Sequence, residues 1–566
     1  MRSLEHDNRR LGGGSAPGGA APGDGRMRRV KEAALRPDRP RIGIFGWGLV
    51  APRSGSIDEF RENLSSEGTW MQPFEGFGPS NFLVGVPRFD LEEYRPWIEE
   101  RFKPARFAQL AKHSGDPVRY AVGAFIQALG QNPGLETVLQ ELGQRTHIYI
   151  GTGVGDLPTM YEASIAYHGA QRRWNRFWGD PRRCRMRELY AASAGAERER
   201  LRSEFGVPPD PETVEDEQER EAAQEAWEAY WSGRSESLRE YLEEARRIQA
   251  EPVSGEIESA KEGVIKRKLT EMRKLNARWG CPPEPWTAVH PNLIWNIHNA
   301  PAAQVSMIGR IQGPAWAPVG ACSSFGVALK LAVDVIRSRE ATAVVVGMTD
   351  PPPHPLLVGA FYKANVLAAD GDPSKPLAGL KGTHVAGGAA VWIVGDADAL
   401  RARGFRTVGL EIMGVGISSD AHHIITPTRH GPLESMKKAL QDAGIQAPEL
   451  ASWDLHATAT PGDWLEVATA RELIPDSVPM TARKGTFGHG MSVGGAWELT
   501  AQHLGAAQGM LYPTVLRRDE LNEAIAAVHR NFVFDRPVSI QGCYLGKINM
   551  GVGGINACVV SRRWDV

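Results

Sequence analysis

Hydrophobic and polar positions fall into three regimes along the chain. In the first, short apolar runs alternate with helical periods. Arg41–Val50 reads as a buried strand running into the turn Gly46-Trp47-Gly48, and Ser56 then stands as an N-cap for a helix through Phe60 and Leu64. A helix follows near Val118–Leu129, then a strand at Ile148-Tyr149-Ile150 and the turn Gly151–Gly155. In the second regime, residues 167–290, charges alternate (Glu197-Arg198-Glu199-Arg200, Glu215–Glu221, Arg246-Arg247). Trp174, Trp178, Trp227, Trp231, Trp279 and Trp286 are scattered among them. The periods predict helices at Glu217–Tyr230, Leu238–Ile248 and Ile257–Leu275, broken at Pro208-Pro209 and Pro282-Pro283. Mixed charge with scattered aromatics predicts solvated helices docked through one apolar face, an appended subdomain. From Asn292 the strand–helix alternation returns. Ala341–Gly347 and Ala389–Val394 read as strands buried on both faces, and helices fall near Leu433–Ala443, Leu465–Leu473 and Val493–Gln508. The last strands fall near Val538–Gln541 and Ile555–Val560. Such alternation predicts an α/β layered fold.

Composition narrows the function classes. The 566 residues include 42% hydrophobic residues and 62 glycines, enough for a sizeable core with many tight turns. A formal net charge of -2 argues against a protein devoted to nucleic acid or to anionic membrane surfaces. No run of about eighteen apolar residues exists, so no membrane-spanning helix is expected. Residues 1–40, rich in Gly, Pro, Ala and Arg without an apolar signal core, are expected to form a disordered arm. The five cysteines (Cys184, Cys281, Cys322, Cys543, Cys558) show no paired zinc or disulfide spacing. That pattern suits a reducing compartment, and a cytoplasmic location is expected.

One cysteine has a distinctive position. Gly320-Ala321-Cys322-Ser323-Ser324-Phe325-Gly326 follows an apolar run and opens a helical period through Val327, Leu329, Ala332, Val335 and Ile336. Unpaired N–H groups and the helix dipole at such a junction favour thiolate and lower a thiol's pKa. Equally, free cysteine is among the most buried residue types and behaves as a small hydrophobe. Three later segments bear on the choice. His456-Ala457-Thr458-Ala459-Thr460-Pro461-Gly462-Asp463 leaves the end of a strand into a small-residue loop. Lys484-Gly485-Thr486-Phe487-Gly488-His489-Gly490 opens a helix carrying Glu498. In Asn549-Met550-Gly551-Val552-Gly553-Gly554-Ile555-Asn556, three glycines around one apolar residue let backbone N–H groups approach a ligand.

In this order, the segments resemble the β-ketoacyl synthases, the condensing enzymes of fatty-acid and polyketide synthesis with the thiolase fold. The cysteine segment is similar to the family's Ala-Cys-x-Ser-Ser, with Ser324 one place early. His456–Thr460 is similar to His-Gly-Thr-Gly-Thr with alanines for both glycines, and Pro461-Gly462-Asp463 with Glu466 fits after a one-residue deletion. Lys484, Gly488-His489 and Glu498 match the family's spacing. Arg41–Leu64, Ile150–Gly155 and Ser419-Asp420-Ala421-His422-His423 through Pro427 extend the likeness over all but the arm and the 167–290 segment. It also displaces a metal reading of His422-His423.

The resemblance implies an α/β thiolase-like fold of two similar halves, 41–404 and 405–566, in an α-β-α-β-α arrangement, with the 167–290 helical insertion inside the first. It implies an acyl group carried on Cys322, an oxyanion hole at the N–H groups of Cys322 and Val552 within Gly551–Gly553, and decarboxylation supported by His456 and His489. Lys484, paired with Glu498, would orient His489, while Thr458 and Thr460 would hold the phosphopantetheine arm. No metal or other cofactor of the protein's own is implied. The partners implied are an acyl carrier protein and a homodimer mate, or a second ketosynthase-like subunit. Family carboxylates are missing at Gly388 and Ala378, and the gating phenylalanine is Val552. The rival readings are a thiolase, a non-condensing acyltransferase of the same fold, and a partner subunit resembling a chain-length factor. Cys543-Tyr544-Leu545-Gly546 has the wrong spacing for a thiolase's second cysteine, and the presence of Cys322 sets the chain apart from such a partner subunit.

Overall fold

A computed structural model describes residues 39–66, 68–250 and 258–564, with side chains of 258–262 excepted; nearly all of the proposed arm lies outside them. Ten strands define the molecule. The first five are β1 (Ile42–Val50), β2 (Thr146–Gly151), β3 (Ala315–Trp316), β4 (Ala343–Asp350) and β5 (Gly388–Asp396). The second five are β6 (Glu411–Ser419), β7 (Leu450–Leu455), β8 (Met480–Ala482), β9 (Tyr544–Gly551) and β10 (Ile555–Arg562).

Their spatial order is β8-β7-β9-β10-β6-β1-β5-β4-β2-β3. The first half therefore reads β3-β2-β4-β5-β1 and the second β8-β7-β9-β10-β6, the same permutation of chain order. Directions agree as well: the β2–β3 and β2–β4 pairs, like β7–β8 and β7–β9, are parallel. The β4–β5 and β5–β1 pairs, like β9–β10 and β10–β6, are antiparallel. A single residue pair, Ile42 with Ile412, joins the two halves at the β1–β6 edge.

Helices cover and separate the two five-stranded sheets. The outer layer of the first half is α1 (Asp116–Gly130) with α8 (Ala300–Gly309), packed on Phe45, Ile148, Val345 and Val391. The outer layer of the second half is α10 (His430–Ala443) with α11 (Gly462–Ala470), packed on Trp453, Ile548 and Val560. Between the sheets lie α9 (Ser324–Arg337) and α13 (Gly494–Ala507). In α9 the positions Phe325, Ala328, Leu329, Ala332 and Ile336 recur at helical spacing and are buried. Phe325 stands edge-on to Trp392 of β5 at 5.0 Å between ring centroids, and Trp497 of α13 donates to the Ala389 carbonyl at 3.1 Å. Burying each such ring stabilises the middle layer by roughly 1.5–3 kcal/mol. This is the five-layered α/β arrangement expected from the sequence.

Between β2 and β3 the chain makes a helical excursion. It begins with α2 (Leu157–Trp178) and continues through α3 (Arg185–Ala192), α4 (Gly195–Phe205), α5 (Glu217–Ser232), α6 (Glu236–Gln249) and α7 (Glu258–Trp279). The charged faces are solvated, but the aromatics do more than dock one face. Trp174, Trp178, Tyr241 and Leu275 form one small core, and Tyr190, Leu201, Trp227 and Trp231 form another. The helical pattern at the start belongs to α2, which leaves the glycine turn at Leu157 and carries the chain into the excursion as one rod.

Candidate active site

The parallel strands of both halves release their chemistry at their carboxyl ends, where open α/β sheets characteristically bind ligands. In the first half, β2 ends at the glycine turn, β3 leads to Cys322 and β4 ends at Asp350. In the second, β7 leads into His456, β8 into Lys484 and His489, and β9 into the Gly551–Gly554 turn.

Cys322 is buried in a single 3-10 turn, Ala321–Ser323, that runs into α9. The turn is fastened on both sides. Ser324 Oγ donates to the Ala321 carbonyl at 2.6 Å and accepts the Gly320 N–H at 2.8 Å. Ser323 Oγ donates to the carbonyls of Asn549 at 3.1 Å and Ile555 at 2.6 Å, tying the cysteine turn to β9 and β10. Ala321 is held in the left-handed region at φ 49°, an unfavourable conformation for a residue with a side chain and one that concentrates at functional sites. The expected lowering of the thiol pKa is overturned. Burial pushes the Cys322 thiol up, and the Val552 N–H aimed at it and the Lys484 ammonium only partly oppose this. The helix-start argument counts donors within the cysteine turn, whereas the larger one is the Val552 N–H from another turn, and it leaves out the loss of water.

Val552 is 45% exposed, at the tip of a turn in which Gly553 and Gly554 adopt φ 89° and 70°. A side chain at Gly551 would place its Cβ 2.7 Å from the Gly320 carbonyl, so glycine allows the two turns to close together.

His456 and His489 stand with ring centroids 5.5 Å apart and planes at 83°. Each has its Nδ1 engaged. His489 Nδ1 accepts the Met491 N–H at 3.1 Å, and His456 Nδ1 lies 3.2 Å from Lys484 Nζ and 3.5 Å from Asn549 Nδ2. An acceptor Nδ1 leaves the proton of a neutral ring on Nε2. Burial, reinforced by the Lys484 ammonium, pushes His456 well below its ordinary value and brings His489 down to about 3. At neutral pH both rings are therefore uncharged Nε2–H donors. Lys484 sits in the short α12 (Lys484–Phe487), and its Nζ hydrogen-bonds the His456 carbonyl and Glu498 of α13, both at 2.5 Å. Its hydrogen bonds reach His456 and Glu498 rather than His489, because the α12 turn directs the ammonium toward the end of β7. A break at Gly488–Val493 also separates α12 from the helix that carries Glu498.

Two buried carboxylates shape the histidine loop. Glu466 accepts the N–H groups of His456 at 2.6 Å and Ala457 at 2.7 Å. Asp463 accepts those of Thr458 at 2.8 Å and Ala459 at 3.0 Å, and also that of Leu377 at 2.9 Å. Burial pushes Glu466 up to about 7 and Asp463 up to about 6, although these N–H groups pull the other way. The loop presents the paired hydroxyls of Thr458 and Thr460, 2.9 Å apart. Ala459, where the resemblance expects glycine, keeps a left-handed φ of 61°.

Several residues of the site were not singled out from the sequence. Asp350 accepts Thr152 Oγ1 at 3.0 Å, the Gly153 N–H at 2.8 Å and the Ser492 N–H at 2.9 Å, so it joins the glycine turn to the loop after His489. Asn549 Nδ2 donates to Glu498 at 2.9 Å. Lys547 is buried beside Glu498 and Asp454. An Asp at a strand end or a Lys within an apolar strand has no local sequence signature. At Gly388 a Cβ would lie 2.1 Å from the Val50 carbonyl, at φ 144°, so this backbone excludes a glutamate there. Among the described residues no group of His, Cys, Asp and Glu is placed to hold a metal ion. His423 Nδ1 instead accepts the backbone N–H groups of Ile425 and Thr426. No helix among the described residues is long and apolar enough to cross a membrane.

Known proteins resemble this chain in sequence and in fold. The family model "Beta-ketoacyl synthase, N-terminal domain" aligns with residues 203–399, and "Beta-ketoacyl synthase, C-terminal domain" with residues 410–516. Nodulation protein E of Rhizobium meliloti is 31% identical over 270 residues, which are 47% of this chain and 66% of that protein. The 3-oxoacyl-[acyl-carrier-protein] synthase 2 of Rhizobium meliloti (strain 1021) is 27% identical over 277 residues, 47% of this chain and 65% of that one. The matched stretches thus span just under two thirds of these relatives. A β-ketoacyl synthase from Burkholderia phymatum STM815 superposes with a TM-score of 0.63 at 19% identity, covering 93% of this chain and 99% of that one. The ishigamide ketosynthase/chain length factor gives 0.62 at 18% identity, covering 93% and 100%. The two family models together account for more than half of the chain: this chain belongs to the β-ketoacyl synthase family.

Proposed function

We propose that this chain is a condensing ketosynthase that joins an acyl group on Cys322 to a malonyl unit delivered on an acyl carrier protein. The observation that carries the reading is the pair of buried, neutral imidazoles, each with its Nδ1 engaged and its Nε2–H free to donate. In the first stage Cys322 thiolate attacks the thioester carbonyl and expels the carrier sulfur as a thiolate, which takes a proton from water, with the N–H groups of Cys322 and Val552 stabilising the tetrahedral oxyanion. In the second stage the malonyl C–C bond to its carboxylate breaks and carbon dioxide leaves. The enolate oxygen then accepts hydrogen bonds from His456 and His489, the enolate carbon attacks the acyl carbonyl, and Cys322 departs as thiolate. Two neutral donors suit this step, since they stabilise the developing charge without giving up a proton.

Thr458 and Thr460 would hold the phosphopantetheine arm, and Val552 would gate the acyl chain. The halves 41–404 and 405–566 act as one catalytic unit in this reading, with the 167–290 segment a candidate surface for the carrier or a second subunit. A homodimer, or a heterodimer with a ketosynthase-like subunit, and a cytoplasmic location complete the proposal. A second reading, a non-condensing acyltransferase, keeps the acyl-cysteine stage but not the second. Among the solved structures of similar fold, one is described as a type II PKS acyl-carrier protein in complex with its ketosynthase.

The test is intact-protein mass spectrometry with acyl and malonyl carrier proteins. An acyl adduct at Cys322, followed by carbon dioxide release and a 3-ketoacyl product, is expected. Acylation without decarboxylation would select the transferase, and the absence of any adduct would select a non-catalytic subunit.

A further inference from the structure

Lys547 is a buried charge of the site to which the condensation scheme gives no task. It lies in β9 opposite Asp454 of β7, and its side chain is wholly buried. Its Nζ donates to the carbonyls of Leu455 and Ile548 at 2.8 Å each and to Glu498 Oε2 at 2.7 Å, with Asp454 Oδ2 at 3.4 Å. Leu455 is the last residue of β7 and His456 is the next. Glu498 presents its other oxygen, Oε1, to Lys484, the ammonium that touches His456. One carboxylate therefore lies between two lysines, and both lysines bear on the histidine, one through its carbonyl and ring and the other through the preceding carbonyl.

We propose that Lys547 is a positioning residue for the condensing step: it anchors Glu498 and the strand end before His456, and thereby fixes how Lys484 meets the histidine ring. The inference rests on the condensing reading above. A lysine buried without partners loses its charge, and the three acceptors of Lys547 are what keep it an ammonium. Burial pulls it down, but Glu498 and Asp454 outweigh burial and leave it above an ordinary lysine. Lys484 responds in the opposite sense. Burial pulls it down, Glu498 opposes, and the like charge of Lys547 adds to the depression. The charged and titratable groups facing the two ammoniums are Glu498 on α13, Asp454 on β7 with Arg483 beside it, Glu466 on α11, Cys558 on β10, the Cys322 thiol, and the two neutral histidines. Of the two lysines, Lys484 is the one whose proton is weakened, by burial first and by the like charge of Lys547 after it, and Lys547 is the fixed charge beside it. Asn549 donates to the same Glu498 Oε2 while its backbone carbonyl accepts Ser323 Oγ beside the nucleophile, and because neither hydrogen bond involves Lys547 the cysteine turn keeps its hold when that charge is lost.

The test is Lys547→Gln in the full chain, read separately for acylation of Cys322 and for carbon dioxide release from malonyl carrier protein across pH. Acylation is expected to stay close to that of the parent chain. Condensation is expected to fall on the order of a hundredfold, the cost of misplacing a catalytic group. Its alkaline limb should move to higher pH, because Lys484 without a like-charged neighbour holds its proton longer. Parent-like condensation with an unmoved limb overturns the proposal. So does an equal loss in both stages by a folded variant, which marks a purely structural lysine. If Lys547→Gln does not fold, adding Asp454→Asn restores the net charge of the buried cluster, Asp454 being the carboxylate that Lys547 shares with Arg483, and the double variant faces the same outcomes. A parent chain that acylates Cys322 but releases no carbon dioxide sinks the condensing reading itself, whereas a condensing parent matched by its variant sinks only the role of Lys547.

Discussion

The two halves share one strand permutation and differ in what they place at the same strand ends. In the first half the cysteine turn is held by serine hydroxyls and backbone carbonyls, and Asp350 fastens the neighbouring loops. In the second half a dense buried set of ionisable groups surrounds the ends of β7, β8 and β9: Asp454, His456, Asp463, Glu466, Arg483, Lys484, His489, Glu498 and Lys547. The difference matches the chemistry each is proposed to perform. A nucleophile needs a fixed angle of attack and a few N–H groups aimed at an oxyanion, which backbone supplies. Decarboxylation needs charge stabilised away from water, which requires buried ionisable side chains that hold one another in place.

The comparison breaks most visibly at the two reacting residues. Cys322→Ala is expected to abolish acylation, whereas His456→Ala should leave acylation intact and reduce condensation on the order of 10² to 10⁴-fold. Single-turnover acylation and carbon dioxide release separate the two, and wild-type condensation by His456→Ala would end the division of labour. Next in size is Glu498→Ala, which strands two buried ammoniums. A loss of about 3–5 kcal/mol in denaturant unfolding is expected, and a loss below 1 kcal/mol would mean the second-half network is not mutually dependent.

The third test is pH-dependent. Glu466 in the folded chain titrates at about 7, above its ordinary 4.5, so between those values the native state holds a proton that the unfolded state has released. Its contribution to stability is present at low pH and is lost as pH rises through that window. Glu466→Gln does not titrate, so its stability relative to the parent should improve by roughly 2–4 kcal/mol between pH 4.5 and 7. A difference independent of pH in paired melts would refute this. The smallest effect is Ala459→Gly, which relieves the left-handed φ of 61° at some cost in unfolded-chain entropy. A gain of at most about 1 kcal/mol in unfolding free energy is expected, and destabilisation would show that the loop is not strained there.

What could be read from the sequence followed the same division. β4 and β5 stand out as apolar runs because both of their faces are buried, and α1, α10 and α13 show their helical periods. β9 was missed because Lys547 and Asn549 interrupt its apolar run, and their polar groups are satisfied by Leu455, Glu498 and His456, far away in sequence. Cys322, His456, Lys484 and His489 were legible because each sits in a short motif of small residues. Asp350, Lys547 and Asn549 were not, since each gains its meaning from partners on other strands. The thiol pKa was misjudged because the sequence shows the helix start but not the lid of protein that excludes water from it.

The helical excursion occupies the crossover from Gly151 to Ala315, while the matching crossover of the second half runs only from Leu455 to Met480. The closure entropy of a loop grows only with the logarithm of its length, so this roughly sevenfold difference costs on the order of 2 kcal/mol. That is comparable to burying one aromatic ring, and the excursion buries several in cores of its own. The sheet can therefore carry a passenger of this size almost without thermodynamic penalty, because both ends of the crossover are already fixed by the β2–β3 pairing.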